Sequence, residues 1–173
     1  MEHPIPGQPA DSEFAPWAKK YVHLVEDPDI VHALSTQRDH LIALLARLDG
    51  SYRYEPGKWT VNEVLGHVTD AERIFGYRVL CVARGEQGPL PPFEQDDYMA
   101  NASFGSRSLS DIAAEFESVR DSSIRLLRGL PAEAWMRRGT SAGASVTTRG
   151  LAYVLAGHEK HHTCILREKY VIA

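Results

Sequence analysis

Ten prolines divide this 173-residue chain, and their spacing restricts the fold more than any other feature. They stand at positions 4, 6, 9, 16 and 28, then 56, then 89, 91 and 92, then 131. Inside a helix a proline removes a backbone hydrogen bond and clashes with the preceding turn. Helices are therefore confined to four proline-free windows, and each window carries apolar residues at three- and four-residue spacing. The first predicts a helix from about Ile30 to Leu48, with Leu34, Leu41, Leu44, Leu45 and Leu48 on one face and Gly50 beyond its end. The second predicts a helix from Thr60 to about Arg84, where Thr60 and Glu63 have the Thr-x-x-Glu spacing of a capping box. The third runs from about Ser110 to Arg128, with Ile112, Phe116, Val119, Leu126 and Leu127 inward, and the fourth from about Thr148 to Lys169. β-Branched alternation is missing, so no strands are expected. The expected fold class is all-α: a four-helix bundle forming a single domain over residues 1–173, with residues 1–28 as an N-terminal arm.

The connections bear on topology. A short link over about 49–59 predicts that the first two helices are antiparallel neighbours. The second link, GEQGPLPPFEQDDYMANASFGSRSL, is long enough to cross the length of the bundle. The third, about 129–147, has room for a short helix around Ala132–Met136. A long crossover between the second and third helices predicts an up-down-down-up bundle.

Three histidines are placed where chemistry is expected. His158 and His162 lie on one stripe of the fourth helix with Leu151, Val154, Leu155, Ile165 and Leu166. His67 sits at the edge of the stripe formed by Val64, Val68, Ala71 and Phe75 in the second helix. Residues four apart are stacked neighbours on a helix, so two imidazoles there can reach one ion at bond lengths of ~2.0–2.1 Å. His67 lies seven residues after Thr60 and His162 seven before Lys169, which puts both about 10 Å from a helix end. Those depths match if the second and fourth helices are antiparallel. A lone core histidine is ordinarily a hydrogen-bonded one. Three in one core, with few acceptors near, are expensive to bury without an ion. Three nitrogen ligands with further positions open describe a reactive site, because structural zinc sites are normally closed by four protein ligands.

Glycine precedes a histidine twice, as Gly66-His67 and Gly157-His158, and a glycine inside a helix costs roughly 0.5–1 kcal/mol relative to alanine. Close approach of a neighbouring helix would offset that cost. Residues 158–162 also satisfy the H-E-x-x-H pattern of zinc peptidases, whose glutamate is the general base. Those enzymes need a further downstream ligand, for which only Glu168 is at hand, so the peptidase reading is a minor one. His161 stands off the stripe, at the rim of the site, and His40 lies on the edge of the first helix. His3, His23 and His32 carry no signal. Asp70, Glu72 and Arg73 suit a solvated, ion-paired surface, and Asp96 and Asp97 in the crossover are placed to overhang the site or merely to solubilise the loop. Cys81 is about 21 Å along the helix from His67, too far to be a ligand.

Composition excludes several classes. The chain is 43% apolar with a net charge of −4 and no basic stripe, so nucleic acid is not an expected partner. No apolar run reaches the ~18–20 residues of a membrane span. Two cysteines without CxxC spacing, Cys81 and Cys164, offer no disulfide framework, and the expected location is cytoplasmic.

Read together, several segments resemble the DinB/YfiT-like superfamily. They are Tyr54-x-Pro-Gly-Lys-Trp59-Thr60, Val64-Leu-Gly-His67 and Asp70-Ala-Glu-Arg73-Ile-Phe-x-Tyr77-Arg78, then Pro91-Pro-Phe93 with Asp96-Asp-Tyr98, and Gly157-His158-x3-His162. The resemblance implies a four-helix bundle in which His67, His158 and His162 bind a divalent metal, zinc or nickel, with waters completing the shell. It implies a homodimer acting on a small-molecule substrate. Similar members include transferases that use a low-molecular-weight thiol and a mycothiol-dependent isomerase. The function expected is activation of such a thiol at an open three-histidine site. A hydrolase using metal-bound water and a non-catalytic metal-binding stress protein are the alternatives.

Overall fold

The computed structural model describes residues 7–171. Four long helices make the bundle: α2 (Ile30–Leu45), α3 (Val61–Ala83), α5 (Leu109–Arg128) and α6 (Thr148–Ile165). Two short ones, α1 (Lys19–Val22) and α4 (Gln95–Asn101), precede α2 and interrupt the crossover. A π-helical turn, Leu166–Tyr170, prolongs α6, and a 3-10 segment covers Ala132–Met136 as the sequence predicts.

Each long helix starts where a side chain can satisfy its free N–H groups. Asp29 caps α2, Ser108 caps α5 and Thr147 caps α6. At α3 the capping box is complete: Thr60 N–H donates to Glu63 Oε2 at 2.7 Å, and Glu63 N–H donates to Thr60 Oγ1 at 3.2 Å.

Neighbours in the bundle run in the order α2, α5, α3, α6. The first two long helices are therefore diagonal, not the adjacent pair that their short link suggests. The link folds onto the start of α3 instead, with Gly50 O accepting from Asn62 N–H at 2.9 Å and Tyr52 O from Val61 N–H at 3.1 Å. Directions follow from paired contacts. The Asn62 side chain reaches Arg107 O, and Glu72 meets Arg120, so α3 and α5 are parallel. Tyr170 Oη donates to Trp59 O while His67 meets His158, so α3 and α6 are antiparallel. This is the up-down-down-up order.

Two apolar clusters fill the bundle ends. One gathers Ile30, Leu34, Phe75, Val79, Leu127, Trp135 and Leu151–Ala156, and the other Leu41, Leu44, Val61, Leu65, Ile112, Phe116 and Leu166. Between them lies a belt of buried polar side chains: His67, Glu72, Arg120, His158, Glu159 and Thr163. Glu72 is thus in the core, not on the solvated surface expected of it. Arg120 Nε and Nη2 each donate to a Glu72 oxygen at 2.9 Å.

Two further differences position the site. The N-terminal segment delivers Phe14, Ala18, Val22 and Val25 to the core and lays α1 along α6. A hairpin also stands where no strand is expected, with β1 (Arg138–Ser141) antiparallel to β2 (Ala144–Thr147). Its two-residue turn, Ala142-Gly143, has φ of 48° and 78°. Two positive φ values suit the right-handed strand twist, and glycine meets one at no cost. Leu90 N–H donates to Thr140 O and Ala142 N–H to Leu90 O, both at 2.9 Å, which pins the crossover to the hairpin.

Candidate metal centre

His67, His158 and His162 converge between α3 and α6, and one nitrogen from each lies within 4.8 Å of the others. His67 Nε2 and His158 Nε2 are 3.2 Å apart. Two nitrogens bound to one ion at ~2.0–2.1 Å lie roughly 3–3.4 Å apart at ordinary coordination angles. The spacing and the donor set therefore fit a divalent ion. A hydrogen bond between His67 and His158 would occupy only those two nitrogens, and His162 has no hydrogen-bond partner among the described residues.

Burial keeps all three imidazoles neutral. Loss of hydration holds His67 down to about 4, with nearby Asp96 opposing the shift only partly. It holds His162 down to about 3, helped by its histidine neighbours, and His158 well below the ordinary value. Neutral imidazole is the form that ligates metal.

The glycines before His67 and His158 are close-contact positions. A Cβ on Gly66 would stand 2.2 Å from the Phe104 ring, and one on Gly157 would stand 2.1 Å from Tyr21 O. The approaching groups are a crossover side chain and the backbone of α1, so the compensation comes from the connections and not from another bundle helix.

His67 and His158 open onto a cleft of about 370 Å³ that is also lined by Trp17, Tyr21, Phe75, Arg78, Phe93 and Glu94. The rings of Tyr21 and Phe75 each lie 5.5 Å from that of His158, and Trp59 lies 5.0 Å from His67. Trp17 and Tyr21 come from the N-terminal segment, which carries no motif. The signal available was its own apolar residues, Phe14, Trp17 and Val22, at helical spacing.

The remaining candidates divide. His161 is half-buried at the rim, 5.2 Å from the rings of both Tyr21 and His162. Asp96 and Asp97 are exposed on α4, and the cleft takes Glu94 and Gln95 from that region instead. His40 and Cys164 line a separate hollow between α2 and α6. Glu159 lines that hollow too, with Oε1 accepting from Thr163 Oγ1 and Oε2 buried without a partner among the described residues. The H-E-x-x-H glutamate thus faces away from the cleft of His67 and His158, and burial pushes its pKa up. His32 and His23 pair with Asp27 and Asp11 on the surface. Cys81 packs against the apolar core, apart from the histidines, and His3 lies outside the described residues.

Among solved structures, the chain is similar to YfiT from Bacillus subtilis, described as a probable metal-dependent hydrolase with an unusual four-helix bundle topology. The TM-score is 0.67 at 17% identity, over 94% of this chain and 91% of that one. It is also similar to a mycothiol-dependent maleylpyruvate isomerase, with TM-score 0.65 and 14% identity, over 83% of this chain and 61% of the isomerase. A histidine-to-alanine mutant of that isomerase gives 0.67 at 13% identity, over 88% and 64%. These likenesses concern the fold, and they agree with the up-down-down-up order seen here. No curated protein matches the sequence. The model of the DinB superfamily does match, over residues 33–166, a span containing all three converging histidines and all four bundle helices but for the start of α2, and the chain belongs to that superfamily.

Proposed function

We propose that this protein is a metal-dependent enzyme of the thiol-transferase type. In this reading His67, His158 and His162 hold one divalent ion, zinc or nickel, and the cleft brings a low-molecular-weight thiol to a small electrophile. A bound ion would supply Lewis acidity, lowering the pKa of a coordinated thiol or water.

The observation that carries the reading is the position of Glu159. Among the described residues, the buried carboxylate next to His158, Glu159, lines the hollow between α2 and α6, the other in the polar belt, Glu72, is held by Arg120, and the carboxylate lining the cleft, Glu94, is exposed. Among the described residues no carboxylate is therefore set deep in the cleft to remove a proton from water. A thiol, with an ordinary pKa of ~8.5, needs much less help to lose its proton. The aromatic rings of Trp17, Tyr21, Phe75 and Phe93 along the cleft suit the apolar part of an electrophile.

The test uses cobalt- or nickel-substituted protein. Cysteine, glutathione, bacillithiol and mycothiol are each added, and a sulfur-to-metal charge-transfer band is expected with at least one. The same thiol should be conjugated to 1-chloro-2,4-dinitrobenzene faster by wild-type protein than by His158→Ala. Ester cleavage without any thiol would assign hydrolysis instead. Metal retention with neither activity would leave a non-catalytic metal-binding protein.

A further inference from the structure

Among the described residues two arginines are buried, and only one has a counter-charge. Arg120 is gripped by both oxygens of Glu72. Arg78, on α3, is 4% exposed, yet its one hydrogen bond among the described residues runs from Nη2 to Pro91 O at 2.7 Å. A guanidinium offers five N–H donors, so most of this fork is uncommitted. Its faces are covered, with Cζ 5.6 Å from the Phe75 ring and 5.7 Å from the Phe93 ring. Buried charges are normally paired, because aromatic faces and one carbonyl do not replace the water that was lost. Burial accordingly works against the charged form of Arg78.

Arg78 lines the same cleft as His67 and His158. Both flank Phe75, whose ring is 5.5 Å from the His158 ring and 5.6 Å from Arg78 Cζ. The guanidinium carbon and the centre of the His158 ring are thus no more than about 11 Å apart, within the span of one small ligand. Pro91 is fixed in turn, because Leu90 is hydrogen-bonded to the hairpin on both sides of its peptide. The fork is held rigid before any ligand arrives, which lowers the entropy lost on binding.

We infer that Arg78 is the anion-recognising residue of the cleft, and that the substrate is a small electrophile bearing a carboxylate. A planar carboxylate matches the fork bidentately, where a neutral amide cannot. The inference rests on the three-histidine cleft being the substrate site.

Binding is read by fluorine NMR titration of 4-fluorobenzoate into the full chain as purified, with 4-fluorobenzamide as the neutral isostere. Wild-type protein should bind the carboxylate about tenfold or more tightly than the amide. Arg78→Gln should remove that preference, and Arg78→Lys, which keeps charge without the fork, should retain part of it. Chelated wild-type protein should keep the preference, so a folding defect in either variant leaves the question decided. Equal affinity for benzoate and benzamide would overturn the inference. So would benzoate binding that persists in Arg78→Gln and disappears on chelation, because the carboxylate would then sit on the ion. The titration requires neither thiol nor turnover. Failure of the thiol assays leaves it standing, and its own failure leaves the thiol reading untouched.

Discussion

His67, His158 and His162 all have folded-state pKa values below the ~6.5 of an unfolded chain. The folded protein therefore binds fewer protons than the unfolded one as the pH drops below that value. Stability from the neutral cluster is whole above about pH 6.5 and is lost on acidification toward the folded values near 4 and 3. Metal-free protein should show a urea midpoint that falls between pH 7 and pH 5, and His67→Phe should flatten the fall. A midpoint independent of pH would contradict the burial of these groups. The same protons compete with a bound ion, so acid should release it. Elemental analysis of purified variants separates the histidines by role. His158→Ala and His162→Ala should lose most of the metal and His67→Ala a large part, while His32→Ala, whose ring pairs with Asp27 at the surface, should keep it.

At the scale of elements, Arg120 and Glu72 join α5 to α3 across the middle of the bundle. Removing one member of a buried pair strands the other, at about 3–5 kcal/mol, whereas apolar replacement of both is often nearly neutral. Arg120→Leu alone should be strongly destabilised in urea denaturation, and Arg120→Leu with Glu72→Leu should recover much of the loss. Additive losses would show that the pair is not coupled. The four long helices were legible because proline, caps and apolar spacing are local signals. Thr60 with Glu63 marks the start of α3 in sequence and in structure alike. What escaped depends on partners distant in the chain. Arg120 lies on the stripe of Ile112 and Phe116, and Glu72 next to Ala71, so an acid and a base inside apolar faces were the available clue to their burial. The hairpin was hidden because Ala142-Gly143 lacks the asparagine or aspartate usual at its turn. The diagonal placement of α2 and α3 could not follow from the length of their link, since a short link can also cross the end of a bundle.

Over the whole molecule, the belt of polar side chains lies between two apolar clusters that each hold bundle helices together. The histidine pair and the Gly-His steps were readable in sequence, but the cleft was not, because it is assembled from α1, the crossover and the hairpin. Since the clusters do not depend on an ion, chelation should lower the melting temperature without abolishing helical circular dichroism. An ion at a hundred times its dissociation constant would add about 2.7 kcal/mol. Collapse of the helical signal on chelation would make the ion structural and remove the main support for an open reactive site. The central claim is that three histidines from two antiparallel helices hold one metal. It is tested most directly by an anomalous-difference map from crystals of zinc- or nickel-loaded protein, collected at the absorption edge of the metal. The account predicts one peak between α3 and α6, about 2.0–2.1 Å from a nitrogen of each of His67, His158 and His162. A peak that excludes His67, or one lying in the hollow beside Glu159 and His40, would contradict it.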